Sequence, residues 1–302
     1  MIALVAAACG DDSDDGTTGE DGGEQATFEF VPLDVGGPNT KSALEAGDID
    51  VALLFSSDGA IAKNEWVALE DDQGLQSVDN FIPAVRTEVV TPEVTEVLNA
   101  VSAALTVEDM QGLVAAVSID GENPADVASA FLEDVDLGDT AVEGELVVGS
   151  ANFAESEITA ELYAQALESA GASVEKKLQF GARETYLPAL ISGDLDIIPE
   201  FVGTLAFYFD ENAEVTNDLE ATTEVARGLA EAEGVTLLEP APADSVNTFV
   251  VTQDTADEYG LSSVSDLAGV TDALVLGGPP ECPERPLCLP GLIDTYGLRF
   301  EE

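Results

Sequence analysis

Histidine is absent from the 302 residues, and with it goes a large share of neutral-pH chemistry. Ser-His-Asp relays, Cys-His pairs and His-ligated zinc all need an imidazole that titrates near neutrality. Basic residues are scarce too: 9 Lys and Arg stand against 61 Asp and Glu, a net charge of −52. Such a polyanion is repelled by phosphate backbones, which excludes nucleic acid as a partner. Long apolar runs are missing as well, so nothing beyond the N-terminus spans a bilayer as a helix. What remains is 45% hydrophobic and 23% charged, enough apolar surface to close a core against chain entropy. At about 150 residues per domain, the length fits two units or one protein of two lobes. The acidic excess reads either as a solvated coat, useful at high salt, or as a cation-binding surface.

Cysteines number only 3, and their settings differ. Cys9 ends the apolar run Met1–Ala8 and precedes an acidic, Gly-rich stretch, Asp11 to Gln25. This resembles the tail of a bacterial lipoprotein signal, in which Cys9 would carry lipid and residues 1–27 would form a flexible tether. The alternative is a frayed N-terminus with an inert thiol. Cys282 and Cys288 lie in Pro279-Pro-Glu-Cys-Pro-Glu-Arg-Pro-Leu-Cys-Leu-Pro290, a loop stiffened by prolines. In an exported protein their natural use is a disulfide; a reactive thiol would need a neighbouring base to depress its pKa.

An internal repeat is the most informative pattern. Ala43-Leu44-x-x-Gly47-Asp48-x-Asp50 recurs as Ala189-Leu190-x-x-Gly193-Asp194-x-Asp196. The register holds through Phe55 and Phe201, then through the polar pair Asp58 and Thr204. Each copy reads as a helix stopped by glycine, a tight turn and a short buried strand, Ile49 to Leu54 or Leu195 to Ile198. Open α/β sheets bind ligands outside the carboxyl ends of their strands, so the two phenylalanines stand on two candidate walls; ordinary core packing is the competing use. The paired aspartates suit their turns, and no loop carries EF-hand spacing.

The remainder alternates as an α/β chain. Glu145–Ser150 and Val174–Phe180 read as strands flanking a helix, Glu155 to Ala170, that Gly171 stops. Asn217 is placed to cap a helix running to Glu233, and Val235–Leu238 and Thr248–Thr252 follow as strands. Thr91-Pro92, Thr106-x-x-Asp109 and Pro124 open three further helices, and 137–144 is a polar linker.

Several stretches resemble one family. Glu145-Leu-Val-Val-Gly-Ser-Ala-Asn-Phe-Ala-Glu-Ser-Glu157, Pro188-Ala-Leu-Ile-Ser-Gly-Asp-Leu-Asp196, Pro199-Glu-Phe-Val-Gly-Thr204 and the loop 279–290 are similar to the first half of the osmoprotectant substrate-binding proteins. These are the glycine betaine, choline and carnitine receptors of ABC importers. Phe30-Val-Pro-Leu-Asp-Val-Gly-Gly-Pro38, Gly47-Asp-Ile-Asp50 and Leu69-Glu-Asp-Asp-Gln-Gly-Leu75 resemble the second half. The halves stand in inverted order, 28–136 before 145–302, with 137–144 between them. The resemblance implies a circularly permuted, two-lobed flytrap of the periplasmic-binding-protein type II class; the runner-up is a piece of a tandem pair of receptors. One lobe is expected from 145–243 plus 56–134, the other from 244–302 plus 28–54.

By the same resemblance, Phe55 and Phe201 stand where the family carries aromatics that cradle a quaternary ammonium. Asn247 and Lys41 fall where some members carry tyrosine, so a full cage is absent. Arg285, held by its prolines, is the expected partner for a ligand carboxylate, unless it pairs with the acidic surface; Thr204, Asn152 and Ser156 are further donors. The implied role is extracytoplasmic capture of a quaternary-amine or zwitterionic solute for a permease and its ATPase, without catalysis, cofactor or metal. An enzyme using Ser150 or Cys282, or a ligand-free scaffold or sensor, are the competing classes.

Overall fold

The two Gly-Asp-x-Asp turns do the same job in three dimensions. A computed structural model describes residues 27–34 and 36–301. Cys9 and the proposed tether lie outside the described residues. In chain order, β1 (Thr27–Pro32), α1 (Pro38–Ala46), β2 (Val51–Phe55), α2 (Gly59–Lys63) and β3 (Val67–Ala68) come first. Then follow β4 (Phe81–Arg86), α3 (Pro92–Ala104), α4 (Val107–Ser118) and α5 (Pro124–Leu132). The second half begins with β5 (Glu145–Ala151), α6 (Ala154–Ser169), β6 (Ser173–Gly181), α7 (Arg183–Ser192) and β7 (Ile197–Phe201). It continues through α8 (Val202–Phe209), α9 (Leu219–Ala232), β8 (Val235–Leu237), β9 (Asn247–Val251), α10 (Gln253–Tyr259), β10 (Val275–Gly278), α11 (Leu289–Tyr296) and β11 (Arg299–Phe300).

Gly47 and Gly193 end α1 and α7 at φ 73° and 88°, a left-handed conformation that a side chain would strain. The last aspartate of each turn then ties its strand to a parallel neighbour. Asp50 Oδ2 accepts from Val275 N at 2.8 Å, and Asp196 Oδ2 accepts from Val147 N at 2.9 Å. These carboxylates serve the turn and its strand, and Asp196 also pairs with Arg86 at 2.8 Å. Both strands begin two residues later than the sequence pattern predicts, because this side-chain bond holds residues 49–50 and 195–196 in the turn. Phe55 and Phe201 consequently end their strands rather than follow them.

The strands form two sheets, ordered β11-β1-β10-β2-β9-β3 and β6-β5-β7-β4-β8. Each has a parallel core with β9 or β4 added antiparallel against the repeat strand. Both faces of each sheet are covered. Val51 and Leu53 of β2 enter one core and Ala52 and Leu54 the other; Ile197 and Ile198 of β7 divide likewise. Strands buried on both faces are why the sequence shows continuous apolar runs instead of alternation.

The lobes meet at two crossing segments, which lead directly into β4 and β9. They pair through an Asn80–Asp244 bridge, with Ser245 N donating to Asp79 O at 3.1 Å. The lobe boundary expected at residue 56 is corrected: β3 pairs with β9, and Ile61 and Trp66 pack with Leu44 and Leu54, so residues 56–69 belong to the six-stranded lobe. A further contact joins the lobes beside the crossings. A Cβ on Gly59 of α2 would stand 2.4 Å from the Ala115 N of α4, so only glycine permits that approach. Gln111 Nε2 donates to Ser56 O at 2.7 Å in the same contact.

The capping residue of α9 is also corrected. Asp218, not Asn217, accepts from Ala221 N at 3.0 Å. Cys282 and Cys288 are disulfide-bonded, with Cα atoms 5.2 Å apart.

Candidate functional site

Phe201 ends β7 and is at the same time the N-cap residue of α8, so strand and helix join without a loop. Its ring lies 4.6 Å from that of Phe81 and 6.1 Å from that of Phe153, the latter nearly parallel. Phe153 is 41% exposed and follows β5. Phe55, 39% exposed, faces them from the other lobe. Together these rings line a cavity of about 520 Å³ between the lobes, with Asn152, Glu155, Arg183, Thr204 and Asp79 around it. A second cavity of about 230 Å³ adjoins it; Phe55, Asp79, Thr204 and Ser245 line both.

The charges here are built into the fold. Glu200, fully buried, takes Arg183 Nε at 3.0 Å and Nη2 at 2.7 Å, and the hydroxyl of Tyr186 at 2.8 Å. Burial and the adjacent Glu200 carboxylate push the Tyr186 hydroxyl up. Arg183 Nη2 also donates to Thr204 Oγ1 at 2.9 Å. Asp79, on the crossing segment, accepts from Gly203 N at 2.8 Å and Thr204 N at 2.9 Å. Burial nevertheless raises its carboxyl from 3.8 to about 6, against those hydrogen bonds and Arg183. Glu155 is raised by burial too, with Ser57 of the opposite lobe donating to its Oε1 at 3.2 Å.

Not every expected residue reaches the cavity. Phe55, Phe201, Thr204 and Asn152 line it, and Asn247 lines the adjoining one. Ser156 does not: it is buried, and its hydroxyl accepts from Ala151 N at 2.9 Å, fixing the start of α6. Arg285 is exposed, because the turn Cys282–Glu284 carries it outward, and it lines neither cavity. Leu287 of the same loop lines the smaller cavity instead. Lys41 is held by an ion pair to Asp58 at 2.6 Å and lines neither cavity. Ser150 has no base beside it: its hydroxyl donates to Ala151 O and accepts from Gln179 N. Among the described residues, no cluster of three or more carboxylates or thiols is arranged to hold a metal ion.

The family model of the substrate binding domain of ABC-type glycine betaine transport systems matches residues 30–134 and 144–302. The chain belongs to this family. As a glycine betaine-type substrate-binding domain it is one of a family of binding proteins rather than enzymes. It is 33% identical over 158 residues to the glycine betaine-binding protein YehZ of Escherichia coli, covering 51% of this chain and 52% of that protein. To a glycine-betaine-binding protein of Pseudomonas aeruginosa it is 29% identical over 164 residues, with the same coverage. The chain thus spans about half the length of the curated relatives it matches. Among solved structures, NikA from Brucella suis superposes with a TM-score of 0.37 at 13% identity, covering 72% of this chain and 56% of that one. An ancestral arginine-binding protein gives 0.33 at 11% identity, covering 80% of this chain and 71% of that one. Likeness at that level says nothing about a ligand.

Arg183, Asp79, Glu155, Tyr186 and Phe153 were not singled out by the sequence. Only Arg183 and Phe153 left a signal there: one of just five arginines, starting a helix, and an aromatic directly after a strand. Asp79 is brought in by the crossing of the lobes, which no local pattern announces.

Proposed function

We propose that this substrate-binding domain is the extracytoplasmic capture component of an ABC importer, taking a quaternary-amine osmoprotectant between its lobes for a permease and its ATPase. The observation that carries this reading is the cavity itself, with phenylalanine faces from both lobes and two carboxylates around one space. A quaternary ammonium donates no hydrogen bonds, so a receptor holds it with π faces and negative charge. A ligand touching both walls favours the closed form by its differential contact with it. Attachment through a lipid on Cys9 belongs to the same reading.

The inverted order of the halves is part of the proposal: the chain is a permuted receptor, with 137–144 joining the ancestral ends. The family match in two blocks and the half-length collinear matches support it. A rebuilt chain running 145–302, a flexible linker of about a dozen residues and then 28–134 is expected to bind the same solute. Loss of binding by a folded rebuilt chain contradicts the permutation.

Thermal melting tests the function, with glycine betaine, proline betaine, choline, carnitine and an amino-acid panel, each in physiological and in high salt. A rise of several degrees with a quaternary amine is expected. A cooperative melt that none of these solutes moves overturns the reading in favour of a ligand-free scaffold.

A further inference from the structure

The two repeat units differ at the helix that follows the repeat strand. On the six-stranded side, α2 is capped by its own chain: Asp58 Oδ1 accepts from Ala60 N at 2.9 Å. On the five-stranded side, α8 begins at Phe201, which has no side-chain oxygen to offer, so the first N–H groups of α8 need an outside acceptor. Two of them lie beside Arg183, a geometry suited to the carboxylate of a zwitterion. That position is already filled. Asp79 Oδ1 takes both Gly203 N and Thr204 N, while Arg183 is committed to Glu200 and Thr204. Only glycine fits at 203, since a Cβ there would stand 2.5 Å from Val78 O.

The cavity is lined by two carboxylates, Asp79 and Glu155, and one guanidinium, Arg183, and Lys41 lies close enough to Glu155 to favour its charged form. Asp79 and Glu155 line it and form no ion pair among the described residues, and Arg183 is balanced by Glu200. A zwitterion entering here would set its carboxylate against Asp79 with the helix donors already used. A monocation meets aromatic faces and two carboxylates.

We infer that Asp79 is a specificity-determining residue that fills the carboxylate position of the cleft, so that the ligand class is a quaternary ammonium without a carboxylate. The inference rests on the proposed capture of quaternary amines and narrows it against glycine betaine, the solute in the family's description.

Calorimetric titration of the full chain at pH 8 separates the outcomes, with choline and tetramethylammonium as cations and glycine betaine as zwitterion. Choline is expected to bind at least about tenfold more tightly than glycine betaine, and tetramethylammonium to retain binding. Asp79→Asn keeps the shape and removes the charge, and is expected to lose about tenfold for choline. Asp79→Ala, confirmed folded by its melt, frees both N–H groups and is expected to gain glycine betaine affinity. Glycine betaine binding the unmodified chain as well as choline overturns the inference and leaves the capture reading standing. Binding of none of the three overturns both.

Discussion

Phe55 and Phe201 hold equivalent places in the internal repeat, yet the walls they belong to are built differently. Phe201 is wedged between Phe81 and Phe153, next in the chain to Glu200, whose buried carboxylate holds Arg183 and Tyr186. Phe55 stands 39% exposed at the edge of its lobe, with polar Ser57 and Asn247 nearby. One wall is therefore a rigid platform and the other a cover. On the proposed capture reading, this division lets a ligand seat on the prepared wall first, with closure adding the second face.

The largest blow to the platform is Glu200→Ala. It leaves Arg183 half-shielded without its carboxylate and removes the acceptor of the Tyr186 hydroxyl. A loss of about 4 kcal/mol is expected, read as a lower urea midpoint. Among the described residues no buried arginine–carboxylate pair stands on the Phe55 side, and a loss under about 1 kcal/mol would mean that the platform is not held by this group.

Acidity sharpens the comparison next. Burial raises Asp79 to about 6, and Glu155 and Asp244 also upward. A carboxyl whose folded pKa lies above its unfolded one adds stability that is full below the unfolded value and is lost as pH rises through the folded value. For Asp79 the window runs from 3.8 to about 6. Across it the residue contributes about 3 kcal/mol, with Arg183 as the charged neighbour that acts against the rise. The ligand-free chain is expected to melt higher at pH 5 than at pH 8, and Asp79→Asn to flatten part of that rise. Choline affinity moves the other way, falling as Asp79 takes up its proton. An unchanged melting temperature difference in Asp79→Asn contradicts the assignment.

The phenylalanines test the division itself. Phe201→Ala is expected to lose at least about tenfold in affinity for a quaternary amine, and about 2 kcal/mol of stability through its packing on Phe81. Phe55→Ala is expected to lose affinity with its melting temperature nearly unchanged, because an exposed ring leaves little cavity behind. Equal destabilisation by both removes the distinction between platform and cover.

The parts of this arrangement that local sequence carries were legible. Gly47 and Gly193, the paired aspartates and the terminal phenylalanines follow from chain geometry over a few residues, and the family resemblance supplied the two lobes. Residues whose role depends on distant partners were not legible. Asp79 meets Gly203 and Thr204 only because the lobes cross there, and Arg183 is distinguished from Arg285 only by where each helix or turn aims it. The proline-rich loop leaves Arg285 exposed and outside both cavities. Ser156 is diverted for a related reason: a serine two residues into α6 serves the helix start before it can serve a ligand.

Lys41 gives the smallest effect and a clean limit on the six-stranded wall. Its ammonium sits 2.6 Å from Asp58, with the lysine side chain 32% exposed and the aspartate 11%. Partial exposure screens the attraction, and Asp58 keeps its capping bond to Ala60 whether or not the lysine is present. Lys41→Ala is therefore expected to cost under about 1 kcal/mol and to leave quaternary-amine affinity within about twofold. Calorimetry on this variant beside Phe55→Ala decides how far the cover extends. A tenfold change with Lys41→Ala would carry the binding wall past Phe55 to the Lys41–Asp58 pair, and the cover would no longer be a single aromatic with a polar rim.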